Sequence, residues 1–380
     1  MNYKSFCNTE IIFSDICELE YKLLSLQEMN VVLVMSESSV ARYNMSKLVN
    51  NLKLKSEISN NKFIWISSPC SNPTQRDIIE ALCRIGSANI DIIIAIGGGS
   101  SIDLAKGISA FNSKEKNSKY TIDDITDYIQ NQRYGDNAFI DIIAIPSTAG
   151  TGSEVTSWAT IWDENRMSKY SIDDSRLKPC LAIIVPELAL SMPSKLTIAT
   201  GLDALSHAIE AYWSRYTTPL VQQLSQCAII LIINNLKKAV ENPNKISTRE
   251  ILCKASLLAG LAFSQTKTTA CHAISYPLTM YYSIPHGLAA AMTLDAVGEK
   301  NKGYFPNDKE LFELFKDYGS IKRWMDSVCE GVLSMRLSSF GIKNEDVPII
   351  VNETLKNTRI NNNPVELTRD DIIKILLSIM

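Results

Sequence analysis

Five short runs of apolar, β-branched-rich residues set the terms for the first half of this chain. NVVLVMS (30–36), KFIWISS (62–68), IDIIIAI (90–96), FIDIIAIP (139–146) and LAIIVP (181–186) are near-continuously apolar, and each is bounded by turn residues. A strand that is apolar on both faces must be covered on both faces, which is the condition of a parallel sheet built from βαβ units. Amphipathic segments such as SSVARYNMSKLVNNLK and TQRDIIEALCRIG separate the first three runs and supply covering helices. From about Lys195 onward the spacing turns helical, in LTIATGLDALSHAIEAYWS, VQQLSQCAIILIINNLKKAVEN and REILCKASLLAGLAFSQ. The change falls near Met192-Pro193. The expected organisation is an α/β domain over 1–191 followed by an all-helical domain over 192–380.

Composition narrows the function classes. A net charge of −3 gives no basic footprint, so nucleic acid is not an expected partner. The nine cysteines are odd in number and form no Cys-x-x-Cys pair, which suits reduced thiols in a cytosolic compartment. MNYKSFCNTEIIFSDICELE lacks the uninterrupted apolar stretch of a signal peptide, and no apolar run reaches the length needed to span a bilayer. A cytoplasmic location and no membrane partner are the resulting expectations.

Two glycine-rich turns follow strand-like runs. In DIIIAIGGGSSIDLAKGISA a buried run ends in Gly97-Gly98-Gly99, and a helix opens at Ser100-Ser101. Glycines admit close approach of a ligand to the backbone, and a helix N-terminus offers unpaired N–H groups to phosphate oxygens. IPSTAGTGSEVTSW repeats the arrangement with the hydroxyls of Ser147, Thr148, Thr151, Ser153 and Thr156. Two such turns at the ends of sheet strands are what a dinucleotide lying across the sheet requires. A plain tight turn is the alternative for each.

Histidine is scarce: His207, His272 and His286 are all there are. Asp203 and His207 stand four apart in TGLDALSHAIEAYW, on one face of a helix. His272 and His286 flank Pro277 and Pro285, so the segment between them should be broken or bent. Tyr276 follows His272 by one helical turn. One aspartate and three histidines make a donor set suited to Fe²⁺ or Zn²⁺; capping and hydrogen-bonding roles are the alternative.

Together, GGGSSIDLAK, IPSTAGTGSEVT, TGLDALSHAIEAY and the His272–His286 pair resemble the iron-containing (group III) alcohol dehydrogenase family, in the family's order and over nearly the whole chain. The resemblance implies a nucleotide-binding α/β domain and a helical metal-binding domain, the layout also of dehydroquinate synthase. It implies a metal held by Asp203, His207, His272 and His286. NAD(H) or NADP(H) would lie over Gly97, Gly98, Gly99 and Ser100, with Asp103, Lys106 and Thr148 through Ser153 nearby. It further implies a metal-dependent oxidoreductase interconverting an aldehyde and a primary alcohol, and a homodimer.

Three positions depart from the family's common pattern. Ser36 stands where many members carry an aspartate for the adenosine ribose, which admits NADPH beside NADH. Val185 replaces an aspartate before a proline, and Tyr276 replaces a histidine. KTTACHAISYPLT is similar to the branch that reduces phosphonoacetaldehyde to 2-hydroxyethylphosphonate. Lys267, Thr268 and Thr269 would offer a phosphonate one cation and two hydroxyls, and Tyr276 a hydrogen bond to substrate or cofactor; a solvated lysine, an N-cap at Thr268-Thr269 and packing of Tyr276 with Tyr281 and Tyr282 are the alternatives. A short-chain dehydrogenase for uncharged substrates is the first alternative, and a dehydroquinate-synthase-like lyase the second.

Overall fold

The computed structural model describes residues 7–26, 29–69, 71–113, 119–136, 139–163 and 168–380. Cys70 and the first six residues, which entered the cysteine and signal-peptide readings, lie outside them. The chain forms two compact units, Met1–Thr148 with Ser153–Ser191, and Ala149–Gly152 with Met192–Met380. Residues 149–152 therefore depart from the expected 1–191 grouping and belong with the helices.

The first unit holds a parallel sheet of strands β1 (Glu10–Phe13), β2 (Val31–Val34), β3 (Phe63–Ile66), β4 (Ile92–Gly97), β5 (Asp141–Pro146) and, after a hairpin of β6 (Trp158–Asp163) and β7 (Ser168–Asp173), β8 (Leu181–Ile184). Its order is β1-β8-β5-β4-β2-β3. The helices are α1 (Ile16–Leu24), α2 (Glu37–Arg42), α3 (Ser46–Ile58), α4 (Gln75–Ile85), α5 (Gly99–Phe111) and α6 (Ile122–Gln130). Alternate residues along each strand serve opposite faces. Val32, Val34, Ile93, Ala95, Ile142 and Ala144 pack with Ile78, Leu82, Ile108 and Ile125 of α4, α5 and α6. Val31, Leu33, Ile92, Ile94, Ile143 and Ile183 pack with Leu19, Leu23, Leu48 and Leu52 of α1 and α3. Each fully buried aliphatic side chain contributes about 1.5–3 kcal/mol.

Chain direction across the sheet reverses between β2, which leads outward to β3, and β4, which leads to β5. The β2–β4 register sets Val34 beside Ala95, so Ser36 and the Gly97 turn leave the same end of adjacent strands. Gly97 pairs in turn with Pro146, and Ser147 donates its N–H to the Gly97 carbonyl at 2.9 Å. Three candidate cofactor segments thus share the carboxyl end of the sheet at its switch point, where ligands of open α/β sheets bind.

In the second unit α7 (Ser194–Trp213) is almost wholly buried and packs against α8 (Pro219–Glu241), α9 (Ile246–Thr266) and α11 (His286–Met292); α10 (Ala270–Tyr282) precedes α11. The break expected between His272 and His286 occurs at Ser283, in the left-handed region with φ 55°, and Pro285 caps α11. Pro277 stays inside α10. Among the described helices α8, at 23 residues, is long and apolar enough by length and composition alone to cross a bilayer; it packs on α7 and α9.

Lys106, which the family resemblance sets near the cofactor, spends its donors inside the protein. Its side chain is 0% exposed, and Nζ donates to Ser153 O (2.7 Å), Trp158 O (2.9 Å) and Thr156 Oγ1 (3.1 Å). All three ammonium protons are used within the protein, and the loop after β5 is pinned to α5. Asp103 likewise accepts the Thr160 N–H at 2.9 Å. Burial pulls the Lys106 ammonium down to about 8, against the nearby Asp103 and Glu154. Lys106→Met keeps the aliphatic stem but removes the charge-assisted hydrogen bonds to Ser153, Thr156 and Trp158. It should destabilise the protein by about 2–4 kcal/mol, read from the midpoint of denaturant unfolding.

Candidate metal centre

The metal-ligand candidates begin on α7. Asp203, His207 and Glu210 follow the spacing i, i+4, i+7 and share one face of that buried helix. The helix is rich in small residues (Ala199, Gly201, Ala204, Ala208, Ala211), so its neighbours come close. Gly287 shows how close. A Cβ there would lie 2.5 Å from Asp203 Cβ and nearer still to the Ala199 carbonyl oxygen. Only glycine lets α11, which begins at His286, rest on α7 beside Asp203.

Asp203, His207 and His272 form a buried group whose ligand atoms all lie within 4.8 Å of one another. Asp203 Oδ1 is 3.5 Å from His272 Nε2 and 3.9 Å from His207 Nε2. Donors about 2.1 Å from a shared tetrahedral centre stand about 3.4 Å apart, so small adjustments would seat an ion. Asp203 Oδ1 and His272 Nε2 are buried and have no hydrogen-bond partner. Two orphaned acceptors facing each other are costly without a cation or proton, and the donor set suits Fe²⁺ or Zn²⁺. His286 lies outside that tight group. Its ring centroid is 5.3 Å from that of His272, and it stacks on Tyr276 at 5.7 Å and 9°.

Each histidine is held from its other nitrogen. His207 Nδ1 lies 3.2 Å from the Gly150 carbonyl, which can only accept, so Nδ1 carries the proton and Nε2 is left bare. Its ring is stacked on Phe263 at 4.0 Å and on His272 at 4.6 Å. Gly150 reaches this place because it has no side chain: a Cβ would fall 2.7 Å from the Thr200 carbonyl oxygen. His272 Nδ1 donates to Glu210 Oε2. Ser275 Oγ gives its proton to the His272 carbonyl (2.8 Å) and faces His286 Nδ1 at 3.5 Å, the outer limit of a hydrogen bond.

Glu210 escaped the sequence reading. It is 0% exposed, and its Oε1 accepts from Thr269 Oγ1 and Cys271 N (2.8 Å each), Thr269 N (3.1 Å) and His272 N (3.2 Å). The helix α10 therefore takes its N-terminal cap from α7, and Thr269 makes no side-chain cap of its own. The only sequence signal was the position of Glu210, seven residues after Asp203. Burial disfavours charge on His272, but Glu210 and Asp203 outweigh it and push the ring up to about 10. Burial brings His207 down to about 4. Asp203 is held well below the usual carboxylate range: burial opposes this, and His207 and the other histidines outweigh it.

The substrate-side candidates separate. The Thr269 hydroxyl is buried, donating to Glu210 and accepting from Trp213 Nε1 at 2.9 Å. It is committed to the protein and not open to a phosphonate. Thr268 is buried and its carbonyl accepts from Asn362 Nδ2 at 2.9 Å. Lys267 is exposed, with φ 61° and ψ 174°, a conformation adopted almost only by glycine and costing about 1–3 kcal/mol elsewhere.

Of the cofactor candidates, Gly98 caps α5 without any side-chain hydrogen bond, leaving the first N–H groups of that helix open. Ser100 Oγ accepts from Asn72 N at 3.2 Å. Ser36 is the N-cap of α2, accepting from Ser39 N at 3.1 Å and touching the hydroxyls of Ser38 and Ser39. Ser147 and Ser153 are buried, and Thr148 and Thr151 are half-buried.

Comparison with known proteins agrees with this architecture. The sequence model of iron-containing alcohol dehydrogenase matches residues 8–186, and that of the Fe-containing alcohol dehydrogenase family, C-terminal, matches 197–380. The chain is 32% identical to alcohol dehydrogenase 4 of Schizosaccharomyces pombe over 317 residues, covering 81% of this chain and 73% of that protein. It is 31% identical to the NAD-dependent methanol dehydrogenase of Bacillus methanolicus, covering 80% and 81%. Among solved structures, sulfoacetaldehyde reductase from Bifidobacterium kashiwanohense in complex with NAD⁺ superposes with a TM-score of 0.83 at 27% identity, over 100% of this chain and 99% of that one. The chain belongs to the iron-containing alcohol dehydrogenase family and is an oxidoreductase of the NAD-linked alcohol–aldehyde class, which sets aside the lyase alternative.

Gly287→Ala tests the packing that brings α11 to Asp203. The added methyl meets backbone, so α11 must retreat. We expect a loss of about 3 kcal/mol in stability, with weaker retention of metal on equilibrium dialysis.

Proposed function

We propose that this chain reduces a small anionic aldehyde with NADH or NADPH at a metal held by Asp203, His207, His272 and His286, and that phosphonoacetaldehyde, giving 2-hydroxyethylphosphonate, is its substrate. The observation that carries the metal assignment is the pair of orphaned buried atoms, Asp203 Oδ1 and His272 Nε2, beside His207. Fe²⁺ or Zn²⁺ bound there supplies Lewis-acid polarisation of the aldehyde oxygen, and the reduced nicotinamide supplies the hydride. The chain's own residues do the rest. Gly150 and Glu210 fix the ring orientations of His207 and His272. Phe263 covers the His207 face and keeps water from it. Tyr276, stacked on His286, holds that ring's plane.

For the dinucleotide we assign the α5 N-terminus at Gly97, Gly98, Gly99 and Ser100, with Ser147, Thr148, Thr151 and Ser153 after β5. At Ser36 a cluster of three serine hydroxyls stands at the end of β2. With a neutral serine at position 36 in place of a carboxylate, NADPH should be accepted. Aspartate is as good an N-cap as serine, so Ser36→Asp should fold normally. It should raise the KM for NADPH by about ten-fold or more, by charge repulsion at the ribose, with the KM for NADH little changed.

The anionic substrate rests on Lys267. A lysine in a backbone conformation that favours glycine, four residues before the α10 turn carrying Cys271 and His272, is an outlier of the kind found at functional sites. The sulfoacetaldehyde reductase similarity also supports an aldehyde bearing an anionic head group. The commitment of Thr269 to Glu210 favours instead a dehydrogenase for uncharged substrates, since it removes one hydroxyl from the supposed anion site. Steady-state kinetics decide between them. Lys267→Ala should raise KM for phosphonoacetaldehyde by about 10–100-fold, the worth of a charge-assisted hydrogen bond, and leave propionaldehyde turnover unchanged. Equal losses on both substrates would rule out the anionic reading.

A further inference from the structure

We propose that Glu210 is the positioning residue of the metal centre, and that its second oxygen fixes His272 in the tautomer whose Nε2 is free to bind an ion. The inference rests on the metal assignment above. The two carboxylate oxygens do different work. Oε1 gathers four donors at the start of α10, and Oε2 takes the proton of His272 Nδ1.

A helix cap alone does not call for this residue. Thr269 already occupies the N-cap position of α10 and could cap it with its own hydroxyl, yet that hydroxyl is turned to Glu210. Among the described residues the ion-pair partner of Glu210 is His272, with no lysine or arginine beside it. A carboxylate 0% exposed and compensated only by N–H and O–H donors is a poor device for stability alone, because an apolar replacement avoids the desolvation. The part that only a carboxylate performs is at Nδ1: it accepts there and cannot donate. With Nδ1 committed, Nε2 is bare, and it is the atom left without a partner 3.5 Å from Asp203 Oδ1.

Glutamine makes the distinction sharp. In Glu210→Gln the four donors at Oε1 require the amide oxygen there, which places the NH₂ group against His272 Nδ1. The imidazole must then accept at Nδ1 and carry its proton on Nε2, which blocks that nitrogen. The cap survives while the tautomer reverses.

Three histidines per chain make this directly visible by ¹⁵N-histidine NMR, with Zn²⁺ as a diamagnetic probe. In the Zn²⁺-loaded wild type we expect His272 to be metallated at Nε2, with a slowly exchanging Nδ1 proton. Chelator competition should show Glu210→Gln binding Zn²⁺ about 10–100-fold more weakly, with His272 protonated at Nε2. Thr269→Val cuts the same cap network without touching Nδ1; it should lower thermal stability but hold Zn²⁺ affinity within about three-fold. Unchanged affinity in Glu210→Gln, or a drop in Thr269→Val as large as in Glu210→Gln, overturns the inference. If Glu210→Gln does not fold, the wild-type spectrum still decides: metallation at Nδ1, or an Nδ1 proton exchanging as fast as that of an exposed imidazole, overturns it. A wild type that takes up no Zn²⁺ or Fe²⁺ removes the metal assignment and this inference together; a wild type that binds while Glu210→Gln binds equally removes this inference alone.

Discussion

A carboxylate with no exposed surface, Glu210, holds the helical unit together at its functional end. It joins α7 to the first turn of α10 through five hydrogen bonds, two of them from His272 itself. Its charge would be expensive in an apolar interior, and the unpaired N–H groups of α10 would be nearly as expensive without it. Each defect compensates the other. The consequence reaches further along the chain, because Thr269 is held by both Glu210 and Trp213, and Thr268 by Asn362. Lys267 sits just before this anchored pair, with its own N–H bonded to Phe263 O at 2.7 Å. A backbone held that firmly on both sides can maintain a lysine at φ 61°, ψ 174°, where an unrestrained loop would relax.

The α/β unit solves a similar problem with a cation. The carbonyls of Ser153, in the loop after β5, and of Trp158, at the start of β6, take donors from Lys106 on α5. That explains a lysine in a helix buried along most of its length. It also leaves the N-terminal end of α5 to backbone N–H groups, donors fixed in place in a way that a mobile ammonium is not.

Much of this was legible in the sequence, for physical reasons that differ by residue. Runs such as IDIIIAI can only be central strands, because no half-exposed strand tolerates them, and β4 occupies the middle of the sheet. Asp203 and His207 were legible because a four-residue spacing on a helix leaves little choice of face. The edge strand β1 was not: EIIF is four residues long and pairs only with β8. The β6–β7 hairpin was also missed, since WATIWD and SKYSID mix polar and apolar residues without a strong period. Glu210 was invisible for a deeper reason. Glutamate on a helix is ordinarily solvated, and its meaning here comes from Thr269, Cys271 and His272, about sixty residues away in the chain. The partners of Lys106 and Thr269 were hidden on the same ground: a motif names a residue type, while the partners that consume its donors come from other elements.

The charges around the histidines carry the last step. Asp203 and Glu210 place two carboxylates about the His272 ring, one at Nε2 and one at Nδ1. Burial disfavours charge on both rings, but the two carboxylates outweigh it at His272 and push that ring up to about 10, whereas at His207 burial prevails and brings the ring down to about 4. A second proton would go to Nε2, the bare nitrogen that faces Asp203 and that an ion needs. A proton and a divalent cation therefore compete for one place, and the field that favours the first favours the second more strongly because its charge is doubled. Viewed this way, the raised His272 and the lowered Asp203 describe one feature: a buried pocket of negative potential that must be filled by a positive charge, with two of the chain's three histidines, His207 and His272, turned by Gly150 and Glu210 so that the charge meets nitrogen lone pairs.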